Sequence, residues 1–120
     1  MNKELSSEYG QIKIHKKVIS RIAELATREI EGVKKVGLDC YGLIGKILKL
    51  FPLIKGIKVK MLENKEIKVI IPVVVDYKTD IIDVAYQIQK NVTYKLLNSL
   101  NLDSLHVEIK VKNVEKEGGK

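Results

Sequence analysis

The spacing of apolar and polar residues changes several times along the chain, and each change predicts an element. After a polar start over residues 1–8, Tyr9-Gly10-Gln11-Ile12-Lys13-Ile14 alternates apolar and polar and predicts a short strand. From Lys16 to Ile30 the spacing becomes helical. Val18, Ile22, Ala26 and Ile30 recur every fourth position, and Gly32 stands where helices commonly stop. Ala23 and Ala26 are small enough to let this helix lie close against a sheet. Residues 33–38 predict a second strand.

Residues 39–56, DCYGLIGKILKLFPLIKG, are the least regular part. Leu43, Ile44, Ile47, Leu48, Leu50, Phe51 and Ile54 cover most of a short helix, leaving Lys46 and Lys49 on its polar side. Pro52 ends or kinks that helix near Phe51. Ile57, Val59 and Met61 then alternate with Lys58 and Lys60. A polar turn at residues 63–66 leads into Ile67, Val69, Ile71, Val73 and Val75, so the two runs predict a hairpin. Ile70 and Val74 make the second strand apolar on its other face too, which argues for a central position. Pro72 argues for an edge, because proline cannot donate to a ladder.

Thr79 or Asp80 can cap a second long helix carrying Ile81, Val84, Ala85, Ile88, Val92 and Leu96, with Asp80 and Asp83 complementing its positive end. Leu105, Val107, Ile109 and Val111 then predict a one-sided last strand. The expected fold is α+β: two long helices on one face of a small mixed sheet, in the order β-α-β-(short α)-β-β-α-β. Residues 9–114 form the single domain, between a flexible N-terminus (1–8) and a flexible charged tail (115–120).

Composition narrows the class. The 120 residues are 45% hydrophobic and 31% charged, the values of a folded globular domain rather than a disordered chain. A lone cysteine, Cys40, excludes an intrachain disulfide and a multi-cysteine zinc site, and favours a reducing compartment. The opening MNKELSSEYGQ lacks a signal-peptide pattern, and no apolar run approaches the ~18–20 residues of a membrane span. A cytoplasmic location is therefore expected.

The net charge of +7 is concentrated. Nine lysines and three acids (Asp39, Glu63, Glu66) lie between Lys34 and Lys68. This lysine-rich face of residues 34–68 either is simply solvated or meets an anionic partner: nucleic acid, an anionic membrane surface or an acidic protein. Arg21 and Arg28, the only arginines, lie outside it, which weighs against base-specific readout.

Several runs together resemble the alkaline shock protein family, the Gls-type envelope stress response proteins of mainly Gram-positive bacteria. They are Tyr9-Gly10-x-Ile12-x-Ile14, then Val18-Ile19-x-x-Ile22-Ala23-x-x-Ala26 and Glu29-Ile30-Glu31-Gly32-Val33. Later come Val73-x-Val75-x-Tyr77, Val84-Ala85-x-x-Ile88-Gln89-x-x-Val92 and Leu105-x-Val107-x-Ile109-x-Val111. Lys78 stands where the family usually carries glycine. The resemblance implies a cytoplasmic, non-enzymatic protein linked to cell-envelope homeostasis and stress, in some members held at the membrane by a separate anchor. It brings no catalytic residues and no cofactor.

No constellation contradicts that implication. Neither His15 nor His106 is spaced to activate Cys40. Asp76, Asp80 and Asp83 lack the alternating ligand pattern of a calcium loop, so no metal site is expected. Gly42-Leu43-Ile44-Gly45 matches a GXXG clamp only in spacing, since Leu and Ile suit a phosphate poorly. The informative stretch is 43–54. A segment this apolar must be buried in something. It either covers the open side of the sheet, over Ile70 and Val74, or contacts a partner or lipid surface. The partner-binding candidates are Leu43, Ile47, Leu48 and Phe51, rimmed by Lys46, Lys49, Lys55 and Lys58. The expected partner is a protein near the membrane, itself membrane-anchored in one version, and the chain is expected to be a homo-oligomer. The alternative is a nucleic-acid-binding protein using the lysine face.

Overall fold

The computed structural model describes residues 3–51, 56–63, 66–100, 102 and 104–115, and side chains from Lys16 onward. Helix α1 spans Lys3–Arg28, strand β1 Val33–Val36, a 3-10 helix Gly37–Tyr41, and helix α2 Gly42–Leu48. Strand β2 follows at Lys58–Met61, β3 at Ile67–Asp76, helix α3 at Ile81–Ser99 and β4 at Leu105–Glu115. The class is the expected α+β, with a mixed sheet: β1 and β2 pair antiparallel to β3, while β4 pairs parallel to it.

One expected element is absent. The stretch 9–14, read as a first strand, continues α1 instead. Leu5, Tyr9, Ile12, Ile19, Ala23 and Ala26 step by three, four or seven, so the residues that alternate over six positions also keep helical spacing with those that follow. The longer helical spacing outweighs a short period-2 signal and one interior glycine, Gly10, which costs a helix only ~1 kcal/mol. The sheet has four strands rather than five.

Both long helices pack on one face of the sheet. Ile19, Ala23 and Ala26 of α1 and Val84, Ile88, Val92 and Leu96 of α3 meet Val69, Ile71, Val73 and Val75 of β3, all buried. The two helices are cross-linked where the Asn91 amide donates to the Ala26 carbonyl at 2.8 Å. Asp80 caps α3 as expected, accepting from the backbone N–H groups of Ile82 (3.1 Å) and Asp83 (3.2 Å). Gly32, at φ +99°, turns the chain out of α1 where a Cβ would come within 2.7 Å of Thr79 Cγ2.

Strand β3 is the axis of the sheet, and its pairing removes the Pro72 conflict. β4 occupies one edge along residues 67–76. On the other edge β2 pairs with 67–70 and β1 with 73–75. The two short strands therefore run end to end as one interrupted edge strand, and opposite Ile71 and Pro72 that edge has no partner residue. A proline in a central strand loses no ladder bond on the edge where no ladder exists. At the interruption the chain leaves the sheet after Val36 and returns at Lys58. This excursion over residues 37–57 holds the 3-10 helix and α2.

Candidate partner-binding site

The excursion is pinched at its base. Gly37 has φ +70°, and Gly56 lies so close that a Cβ added there would sit 2.2 Å from the Leu38 nitrogen and 2.4 Å from the Gly37 carbonyl carbon. Farther out, Gly45 presses α2 onto the 3-10 helix: a Cβ there would sit 1.9 Å from the Leu38 carbonyl oxygen. The glycine therefore permits a helix-on-backbone contact, and the Gly42–Gly45 spacing is a packing device. Leu43 and Ile44 between them point into solvent, as a phosphate clamp would not have it.

Among the described residues of the excursion, α2 and the turn after it do not fold back over the sheet. α2 packs mainly on the 3-10 helix. Leu43 is 73% exposed, Ile44 65%, Leu50 79%, Phe51 53% and Ile47 51%. Ile70 and Val74 are nevertheless buried on the sheet's other face. Near Val74 the Lys35–Glu115 ion pair (3.1 Å) crosses β3 from β1 to β4, and the 3-10 helix packs against the same strands. The Lys35–Glu115 pair and the 3-10 helix thus help to cover this face, and α2 stays exposed.

Of the sequence-derived candidates, Leu43, Ile47 and Phe51 are exposed, Leu48 is half-buried, and Lys46 projects from the same helix. Lys49 turns inward to an ion pair with Asp39. Lys58 is on β2, where it pairs with Ile70 and so lies on the outer sheet face, away from the helices. Lys55 lies outside the described residues. Ile44 and Leu50, absent from the candidate set, are among the most exposed apolar side chains of the excursion. Both belong to the apolar face already visible in the sequence, but which members of that face point outward depends on where α2 rests.

Asp39 anchors the excursion to the body. It accepts from Lys49 of the excursion and from Arg28 of α1 (3.3 Å), which also holds Glu24 (3.1 Å). The Lys49 hydrogen bond first, with that of Arg28 added, holds the Asp39 carboxyl below the usual carboxylate range against an opposing desolvation. These groups line a shallow depression of about 250 Å³ between α1 and the glycine neck. Its charges satisfy one another, so it offers no unpaired acid or base.

Cys40 is half-buried; burial first, and the Asp39 carboxylate next, push its thiol up to about 11. His106 is paired with Glu66 at 2.8 Å. Neither Asp80 nor Asp83 is idle: Asp80 caps α3, and Asp83 accepts from the Gln87 amide at 2.7 Å. Asp76 accepts from the Lys78 backbone N–H at 3.1 Å, closing the turn in which lysine replaces the family's glycine. No cluster of three or more metal-ligating side chains occurs among the described residues, and none of their helices is long and apolar enough to cross a membrane.

On the outer sheet face Lys60 stands directly opposite Lys68, with Lys58 next along β2 and Lys110 farther along β4, past Glu108. Like charges directly across a strand pair are unfavourable. Among the described residues none of these four lysines has an acidic partner.

The chain is similar to the uncharacterized protein YloU of Bacillus subtilis (strain 168), at 29% identity, covering 95% of this chain and 96% of that protein. Two solved structures of the MamM CTD match with a TM-score of 0.43 and 14% identity, over 79% of this chain and 94% and 96% of theirs, too distant a likeness to bear on function. A family model described as "ASP23 family, cell envelope-related function" matches residues 4–116. That match takes in both long helices, all four strands and the excursion, and the chain belongs to this alkaline shock family with its cell envelope-related function.

Proposed function

We propose that the protein acts without catalysis, as a binding or scaffold module that serves the cell envelope through protein partners close to the membrane, with the excursion over residues 37–57 as the surface that places it there. The observation that carries this reading is the exposure of Leu43, Ile44, Ile47, Leu50 and Phe51 on a segment that leaves the sheet at the closely packed Gly37–Gly56 neck. Full burial of a side chain of this size is worth ~1.5–3 kcal/mol, so five of them in water are a standing cost that a partner removes. The ion pairs and hydrogen bonds around Asp39 and Asp80 support a non-catalytic role, since each candidate acid has a structural duty.

The same reading has the chain assemble as a homo-oligomer, supported by the edge of β4, which no strand among the described residues pairs, and by the exposed Ile82 and Tyr86 on α3. The test is a tagged pull-down from nuclease-treated lysate with membranes retained. Recovery of a membrane-linked protein that disappears with Leu48→Glu plus Phe51→Glu supports it. Unchanged recovery in that variant, or recovery of nothing, refutes it.

A second reading rests on the outer sheet face. Lys58, Lys60, Lys68 and Lys110 outnumber Glu108 on that face and suit a polyanion, and nucleic acid is the alternative partner. It requires affinity that falls steeply with salt, with a slope of about −0.9 per phosphate contact on duplex DNA. Few aromatic side chains accompany these lysines, so base stacking contributes little.

A further inference from the structure

The exposed tip of the excursion carries apolar side chains and one sign of charge. From Cys40 to Leu62 the sequence contains Lys46, Lys49, Lys55, Lys58 and Lys60 and not one aspartate or glutamate. On the tip itself Lys49 is paired with Asp39, at the base, whereas Lys46 has no acidic partner among the described residues; Lys58 and Lys60 follow on β2, in the sheet. Continuing the helical spacing of α2, Leu43, Ile44, Ile47, Leu50 and Phe51 fall within about a third of its circumference, and Lys46 borders that stripe.

We infer that this tip seats directly in the headgroup layer of an anionic lipid bilayer, the five apolar side chains entering the interface and Lys46 meeting lipid phosphates. The inference rests on the preceding reading of the excursion as the contact surface, and names what it touches. Three physical features favour lipid over a protein groove. A stretch with lysines and no acid from Cys40 to Leu62, and Lys46 bordering the apolar stripe, suits a surface that is uniformly anionic in any orientation. α2 has seven residues, about 10 Å of helix, far short of the ~30 Å hydrocarbon core, so its apolar stripe can only lie in the interface. The contacts at Gly45 and Gly56 also set the tip before binding, so little conformational entropy is lost when it inserts. The long helices are left free for protein partners.

The experiment is co-sedimentation of the purified full chain with phosphatidylcholine vesicles, with and without phosphatidylglycerol. The variant Ile44→Ser plus Leu50→Ser changes only exposed positions and is checked for unaltered far-ultraviolet dichroism and melting. Binding confined to the phosphatidylglycerol vesicles, weakened by salt and reduced at least ~10-fold in the variant, is the expected result. Lys46→Gln is expected to cost roughly fivefold. Absence of binding, equal binding to neutral vesicles, or binding that the variant leaves unchanged overturns the inference. A concentration-dependent dimer that the same variant abolishes overturns it too, since a second copy then covers the face. If vesicles fail while the pull-down still yields a partner lost with Leu48→Glu plus Phe51→Glu, the lipid contact falls and the scaffold reading stands.

Discussion

The exposure of α2 can be tested by making one chemical change at two sites. Ile88 and Ile44 are the same residue on two helices, 0% and 65% exposed. Ile88→Ala removes a side chain enclosed by both long helices and β3, so it loses transfer free energy and leaves a cavity, for ~2–5 kcal/mol. Ile44→Ala deletes a side chain of which only about a third is sheltered. A third of the ~1.5–3 kcal/mol for full burial is ~0.5–1 kcal/mol, with no cavity to add. Urea unfolding followed by far-ultraviolet dichroism reads both, and a typical slope of ~1–3 kcal/mol/M separates their midpoints by about 1–2 M. Equal losses at the two sites would refute the argument, because Ile44 would then be packed in solution. Dilution identifies the cover: a cost that disappears on dilution means a second copy, and one that persists means the protein's own sheet.

Other consequences follow from the neck and its charges. Gly56→Ala brings a Cβ within 2.2 Å of the Leu38 backbone, so the neck cannot close; ~1–3 kcal/mol of destabilisation and faster amide exchange at Gly37 and Leu38 are expected, with exchange at Ile88 and Val92 changed least. Because folding lowers the Asp39 pKa, the stability its ion pairs add is complete above the ordinary carboxylate value near ~4 and is lost as pH falls through the lower folded value. With both partners partly exposed this amounts to less than ~1 kcal/mol, so Asp39→Asn should destabilise slightly at pH 7 and not at all at the acid end of a pH series. Cys40, with its thiol near 11 rather than 9.0, should alkylate ~100-fold more slowly at pH 8 than a free thiol; a rate equal to that of the unfolded chain would show that the site is open.

Periodicity carried the fold class, because a helix or strand with one buried face must repeat its apolar residues at 3.6 or 2. That physics made the α3 stripe, the Asp80 cap, the 58–61/67–76 hairpin and the closing strand legible without coordinates. It misread residues 9–14, where six positions satisfy both periods and only the neighbouring structure arbitrates. The concentration of lysine without acid, and the apolar stretch at 43–54, were equally plain. Nothing local could tell that β1 and β2 are two halves of one edge strand, because that follows from β3 pairing with both, and so the tolerance of Pro72 was hidden as well. The same holds for the fate of the apolar segment. Whether Ile44 and Leu50 cover the sheet or face water is decided by two backbone contacts, Gly56 on Gly37 and Gly45 on Leu38, which hold the segment off the body of the domain. Composition sets what a segment must bury; only the close approach of distant backbone determines whether its own chain can bury it.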